Sequence, residues 1–244
     1  VAKEIAEFFN EPGERPLCRD VESALKRCRV YRNAWRKGKI NLYSGVNPLP
    51  KKMLPGHGAP ETWAVPSITH FGELTRVLEI HIDDLGWLTA QFSKTEHYHL
   101  RWHRKKKSSR HRLIEIPKPL LKDVQRTILT KILDPIPAHE SACGFQRGKS
   151  VLDFVKPHTG QSMVLKMDFQ DFFPSISSGR VLRLFMTAGY PESIAGALTD
   201  LCTHAVDRDM LAGADLDRYS RECLARKHLP QGAPTSPALA NLCA

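Results

Sequence analysis

Between Ser44 and Pro66 the chain carries Pro48, Pro50, Pro55, Pro60 and Pro66 together with Gly45, Gly56 and Gly58. Proline lacks the amide proton that a helix interior or a central strand needs, and glycine weakens both, so no continuous element crosses this stretch. The chain is therefore divided into an N-terminal part, a linker or extended arm, and a main body. In the N-terminal part Asp20 stands where a helix N-cap would, and Val21, Ala24, Leu25, Cys28, Tyr31 and Trp35 recur along one face before Gly38. This predicts a mainly helical extension with its linker over residues 1–66, then two regions over 67–162 and 163–244.

In the main body, Leu74, Val77 and Leu78, then Leu85, Leu88 and Phe92, predict two short helices broken near His81 to Asp84. Leu113 to Ile116 reads as a short strand closed by Pro117. Leu120, Leu121, Val124, Ile128, Ile132 and Leu133 follow as one face of a helix that must stop before Pro135. Met163 to Asp168 is the most strand-like segment of the second half, with Met163, Leu165 and Met167 on one side. Two helices are expected after it, one through Val181, Leu182 and Phe185, the other through Ile194, Leu198, Leu201 and Ala205. A last helix should begin with Ser236 as N-cap and Pro237 in its first turn.

Lys and Arg number 36 against 26 Asp and Glu, a net charge of +10. The excess suits a polyanionic partner, most often nucleic acid, although a basic protein that merely stays soluble has the same balance. The charge is densest at Arg101, Arg104, Lys105, Lys106, Lys107, Arg110 and Arg112, with Tyr98 and Trp102 interleaved. Such a run is either a solvated loop or a phosphate-contacting surface, and the aromatics favour the second. His97, His99, His103 and His111 imitate a metal cluster, but the flanking cations oppose a metal ion and no acidic or cysteine ligand stands among them. The cysteines, Cys18, Cys28, Cys143, Cys202, Cys223 and Cys243, are scattered without a CxxC pair or a signal peptide ahead of them. They read as buried thiols of a reducing cytoplasm. No apolar run reaches the roughly 18–20 residues that cross a bilayer, which argues against membrane insertion.

Two segments could carry chemistry. Asp168 ends the expected strand and leads into Phe169-Gln170-Asp171-Phe172-Phe173-Pro174-Ser175-Ile176. A carboxylate at a strand end can ligate Mg²⁺, and in nucleotidyl transfer two such ions serve the attacking and leaving oxygens. The same residue is equally suited to a helix cap or a surface charge, and Asp171 to a cap or a salt bridge. Leu229-Pro230-Gln231-Gly232-Ala233-Pro234-Thr235-Ser236-Pro237 makes a rigid turn into a helix, presenting the Gln231 amide where it can contact a nucleotide. A proline-rich loop with a capped helix has the same composition. Gly144 to Ser150 ends in Gly-Lys-Ser, but three residues separate Gly144 from Gly148 and no strand precedes them. A phosphate loop needs four, so that reading is rejected.

Taken in order, Arg112 to Pro117 with Leu121 to Arg126, Gly144 to Ser150, Met167 to Ile176 and Leu229 to Pro237 resemble the reverse-transcriptase family, particularly bacterial retron enzymes. The resemblance runs from about Phe71 to Ala244. It implies an α+β right-hand polymerase fold, with fingers over 67–162, an incomplete palm over 163–244 and the mainly helical N-terminal extension before them. Asp168 matches the first catalytic carboxylate, and the backbone carbonyl of Phe169 matches a second metal ligand. Phe173 matches the bulky residue that leaves no room for a 2′-hydroxyl, and Gln231 the glutamine lining the nucleotide pocket. Arg112 with Arg110 would meet the triphosphate, while Arg104, Lys105, Lys106, Lys107, Arg147 and Lys149 would meet nucleic acid.

The implied cofactor is Mg²⁺. The implied partners are a structured RNA template, its RNA–DNA hybrid and dNTPs, with an accessory protein as a further candidate. The family's two adjacent aspartates stand in a Tyr-x-Asp-Asp hairpin downstream of the Leu-Pro-Gln-Gly helix, beyond Ala244, as does the thumb. The expectation is that these 244 residues alone are inactive. The alternatives are a group II intron maturase-type enzyme and a nucleic-acid-binding module that does not polymerise. Retron-like enzymes serve in phage defence, a role no residue here displays, and the first seventy residues match no motif.

Overall fold

The computed structural model describes residues 63–90, 97–104 and 111–244, all within one compact unit spanning 47–244. The expected N-terminal helix, most of the Pro/Gly-rich linker, Phe92, Lys105, Lys106, Lys107 and Arg110 lie outside the described residues. The end of the linker packs on the body: Trp63 and Val65 lie against the core, and the Tyr190 hydroxyl donates to the Pro66 carbonyl at 3.1 Å.

The first two helices form where the apolar spacing places them, α1 over Phe71–Leu78 and α2 over Ile82–Thr89. The break between them comes slightly earlier than expected, at Glu79 to His81. Glu79 adopts a left-handed conformation, φ 59°, that stops α1, and the His81 ring accepts the Asp83 N–H to start α2. An antiparallel hairpin follows, β1 over Tyr98–Arg104 and β2 over His111–Pro117, in register from Tyr98 opposite Pro117 to Arg104 opposite His111. The basic run thus lies partly on two paired strands. Along β2, Leu113, Glu115 and Pro117 are buried while Arg112 is exposed, the two-residue alternation of a strand with one face on the core.

Helix α3, Pro119–Ile128, starts on a proline that needs no N–H there and widens into a π turn, Leu129–Leu133, before Pro135. Its apolar stripe joins those of α1, α2, α6 (Ser178–Thr187), α7 (Glu192–Cys202) and α10 (Ser236–Cys243) in one core. Leu74, Ile128, Phe185, Ile194, Leu198 and Leu239 are all fully buried there. Each such side chain stabilises the fold by about 1.5–3 kcal/mol relative to exposure. Gln125 crosses this core, its amide donating to the Tyr98 hydroxyl and the Leu201 carbonyl, both at 2.9 Å. A smaller cluster of Leu113, Val206, Leu211 and Leu224 lies beneath β2. It is built by α8, Arg208–Ala212, and α9, Arg218–Ala225, neither evident from periodicity.

The structure corrects three expectations. Met163 to Asp168 forms no strand; it is an exposed extended stretch with Leu165 78% and Met167 77% accessible. Alternation is not sufficient for a strand: no described segment pairs with this one to complete a hydrogen-bond ladder. The helix through Ile194 ends at Cys202, short of Ala205, because His204 instead exchanges two backbone hydrogen bonds with His228. Thr235, not Ser236, is the N-cap of α10, and the Ser236 hydroxyl donates to the Pro230 carbonyl at 2.7 Å. Of the thiols, Cys202 and Cys223 are buried as expected, whereas Cys143 and Cys243 are partly accessible; Cys18 and Cys28 lie outside the described residues.

No helix among the described residues is long and apolar enough to cross a membrane. The short α4, Val151–Val155, belongs to an exposed excursion over 147–170.

Candidate active site

The organising segment is Arg226 to Gln231. His228 and His204 bond each other through both backbone groups, at 3.0 and 2.9 Å. On its other side the Ser178 N–H donates to the Lys227 carbonyl at 3.0 Å and the Leu229 N–H to the Ile176 carbonyl at 3.2 Å. Pro230 cannot continue such a ladder, so the chain turns and Gln231 lands on β2, where its carbonyl accepts the Glu115 N–H at 2.8 Å. Gly232 has φ +131°, a region closed to side chains, and a Cβ there would sit 2.8 Å from the Glu115 carbonyl oxygen. Three motifs far apart in the chain, 112–117, 167–176 and 229–237, are joined in this way. The Gln231 amide itself makes no hydrogen bond among the described residues and remains available.

Asp168 stands on the exposed stretch, its carboxylate without a partner among the described residues. Just after it the chain is anchored: the Gln170 amide donates to Asp217 at 2.7 Å and to the Ser220 hydroxyl at 3.3 Å, and Asp171 accepts the Ser220 hydroxyl. Asp171, at φ 48°, precedes α5, Phe172–Ser175, a single turn absent from the sequence reading. Phe169 stacks on Phe172 with ring centroids 5.9 Å apart, and Phe172 lies 5.9 Å from Phe173. Phe172 and Phe173 are half-buried against the core.

Arg112 is exposed on the face of β2 that also carries Ile114, whose methyl abuts Gly232. Arg104 closes the hairpin opposite His111. Arg147 is paired with Asp134 at 3.2 Å while staying largely exposed, a surface pair of little energetic weight. Lys149 is exposed beside the Glu140 carbonyl at 3.5 Å. The four histidines part company: His97 is buried with a ring nitrogen 3.2 Å from the Trp87 carbonyl, the others standing on the hairpin. Among the described residues no three His, Cys, Asp or Glu side chains gather as a metal cluster.

The residue the sequence reading missed is Glu115. It is fully buried, and its carboxylate accepts from His204 Nδ1 at 2.5 Å and His228 Nε2 at 2.9 Å. His228 Nδ1 lies 2.8 Å from the Arg226 carbonyl. The two ring nitrogens of His228 thus face a backbone carbonyl on one side and the Glu115 carboxylate on the other. His204 Nε2 has no partner among the described residues. A signal did exist: strand alternation places Glu115 on the inward face with Leu113.

Burial alone would raise the Glu115 carboxyl, but hydrogen bonds from His204 and His228 outweigh it and hold it down at about 2, against an ordinary 4.5. A lowered carboxyl stabilises the fold fully above its unfolded value and loses that contribution as pH falls through the folded one. The stability advantage of wild type over Glu115→Gln is therefore expected to shrink steadily as pH falls from 4.5 to about 2. Urea denaturation across that range checks this, and an advantage independent of pH counts against an ionised Glu115.

Residues 104–244 match the family model described as reverse transcriptase (RNA-dependent DNA polymerase). The chain is 34% identical over 170 residues to the retron Mx162 reverse transcriptase of Myxococcus xanthus, covering 69% of this chain and 34% of that protein. It is 30% identical over 181 residues to the retron Ec86 reverse transcriptase of Escherichia coli, covering 73% and 49% respectively. With the retron Mx65 reverse transcriptase of Myxococcus xanthus it shares 37% identity over 139 residues, 56% of this chain and 31% of the other. The chain thus spans about a third to a half of the length of these relatives. The match carries the polymerase fold with it, and the motifs it covers are those that converge on β2. The chain belongs to the reverse transcriptase family, and the relatives it resembles are bacterial retron enzymes.

Proposed function

We propose that this chain carries the fingers and part of the palm of an RNA-directed DNA polymerase that copies a structured RNA with dNTPs. The single observation behind this reading is the docking of the Gln231 backbone on β2, the strand that bears Arg112, with the Gln231 side-chain amide left unpaired among the described residues. Asp168 fits a divalent ion: its carboxylate is exposed and unpaired among the described residues, and the adjacent Phe169 carbonyl is a second hard oxygen. Asp168 and the Phe169 carbonyl would hold Mg²⁺, which would supply charge neutralisation for the primer 3′-oxygen and the departing pyrophosphate.

The chain's own groups mainly position. Arg112, with Arg110, neutralises the triphosphate; Gln231 contacts the nucleotide; Phe173 occupies the space a 2′-hydroxyl would need. The bond formed joins the primer 3′-oxygen to the α-phosphorus, and the bond broken releases pyrophosphate. Arg104, Lys105, Lys106, Lys107, Arg147 and Lys149 meet template and hybrid phosphates, so binding weakens steeply with salt.

The test is primer extension by the protein expressed from its full open reading frame, with an RNA template, dNTPs and Mg²⁺. DNA synthesis is expected; RNA binding without synthesis would favour a binding module instead. In the same assay Phe173→Ala is expected to raise ribonucleotide incorporation relative to dNTP use by about 10–100-fold. An unchanged preference removes Phe173 from the sugar pocket.

A further inference from the structure

We propose that Glu115 is the positioning residue for Gln231, with His204 and His228 as the clamp that keeps its carboxylate against the Gln231 turn. The proposal rests on the nucleotide-pocket reading of Gln231 above. Glu115 meets the turn twice: its N–H donates to the Gln231 carbonyl at 2.8 Å, and the Gln231 N–H faces Glu115 Oε2 at 3.4 Å. The histidines hold the carboxylate at 2.5 and 2.9 Å.

The clamp cannot swing by itself. His228 is tied through Nδ1 to the Arg226 carbonyl, its backbone is bonded to that of His204, and the His204 ring lies 4.4 Å from Tyr98. Moving the carboxylate therefore means moving β2 and two other segments together. The Gln231 amide, in contrast, has no partner of its own among the described residues. Its approach to a ligand is set by its backbone, and its backbone by Glu115. A buried ion network contributes no more stability than well-packed apolar side chains would. What it adds is direction: it fixes where the Gln231 turn stands, and so how well the turn is placed to bind a nucleotide.

The experiment is steady-state primer extension with dNTP titration, using the protein from its full open reading frame as wild type, Glu115→Gln, His228→Ala and His228→Gln. Each is assayed about 15 °C below its own thermal midpoint so that every variant is folded. Glu115→Gln and His228→Ala are expected to raise the dNTP KM about tenfold while kcat stays within about threefold and template affinity is unchanged. His228→Gln restores an N–H where Nε2 was and is expected to bring KM back to within about twofold of wild type. Should Glu115→Gln not accumulate as folded protein, the two His228 variants carry the comparison. A lowered midpoint with an unmoved KM, or no rescue by glutamine, overturns the positioning role. A wild-type protein that extends no primer overturns the polymerase reading itself, a distinct failure.

Discussion

Gly232→Ala is expected to lower the unfolding free energy by about 2–5 kcal/mol, from backbone strain and overpacking acting together. At φ +131° a side chain is strained even in open space, and this space is closed: the added Cβ meets the Glu115 carbonyl oxygen at 2.8 Å. The obstacle is backbone, not the end of a flexible side chain. Glu115 cannot retreat, because its N–H is bonded to Gln231 and its carboxylate to two buried histidines. Such a loss is a large share of a typical domain's 5–15 kcal/mol or so. Chemical denaturation of the protein from its full open reading frame reads it directly. A loss below about 1 kcal/mol would falsify the tight apposition of this turn on β2.

Asp168→Asn produces the opposite pattern, a large effect on chemistry and almost none on stability. Asp168 is exposed and has no partner among the described residues, so its replacement by an isosteric amide is expected to leave stability within about 0.5 kcal/mol. Asparagine keeps an oxygen but loses the charge that the proposed divalent ion would need, and primer extension is expected to fall by at least about a thousandfold. Both readouts are needed. Retained synthesis at a tenth of wild type or better would remove Asp168 from the site, whereas a matching drop in stability would make it a structural residue.

Much of the fold was legible because its signals are local. The stripes of α1, α3, α6 and α7 follow from a 3.6-residue spacing that any helix imposes, and Pro135 and Pro237 mark ends for lack of an N–H. The failures are equally physical. Met163 to Asp168 has the alternation of a strand, but a strand exists only when another lies beside it. Helix α7 stops before Ala205 because His204 finds a backbone partner 24 positions later at His228, a competition that periodicity cannot reveal. Helices α8 and α9 start on side-chain caps, Asp207 and Asp217, that resemble ordinary surface aspartates until the N–H groups they accept are in place.

The motifs, their order and the residue types at Asp168, Phe173 and Gln231 were set by sequence alone, since each is a local string. What only the tertiary structure decided is the support behind them. Glu115 reaches His204 across 89 residues and His228 across 113. A buried carboxylate is tolerated only where such partners meet it, and no short stretch of sequence can state which histidines those are. Separate strings suggest the chemistry, while the long-range contacts of Glu115 join β2, which carries Arg112, to the turn that carries Gln231.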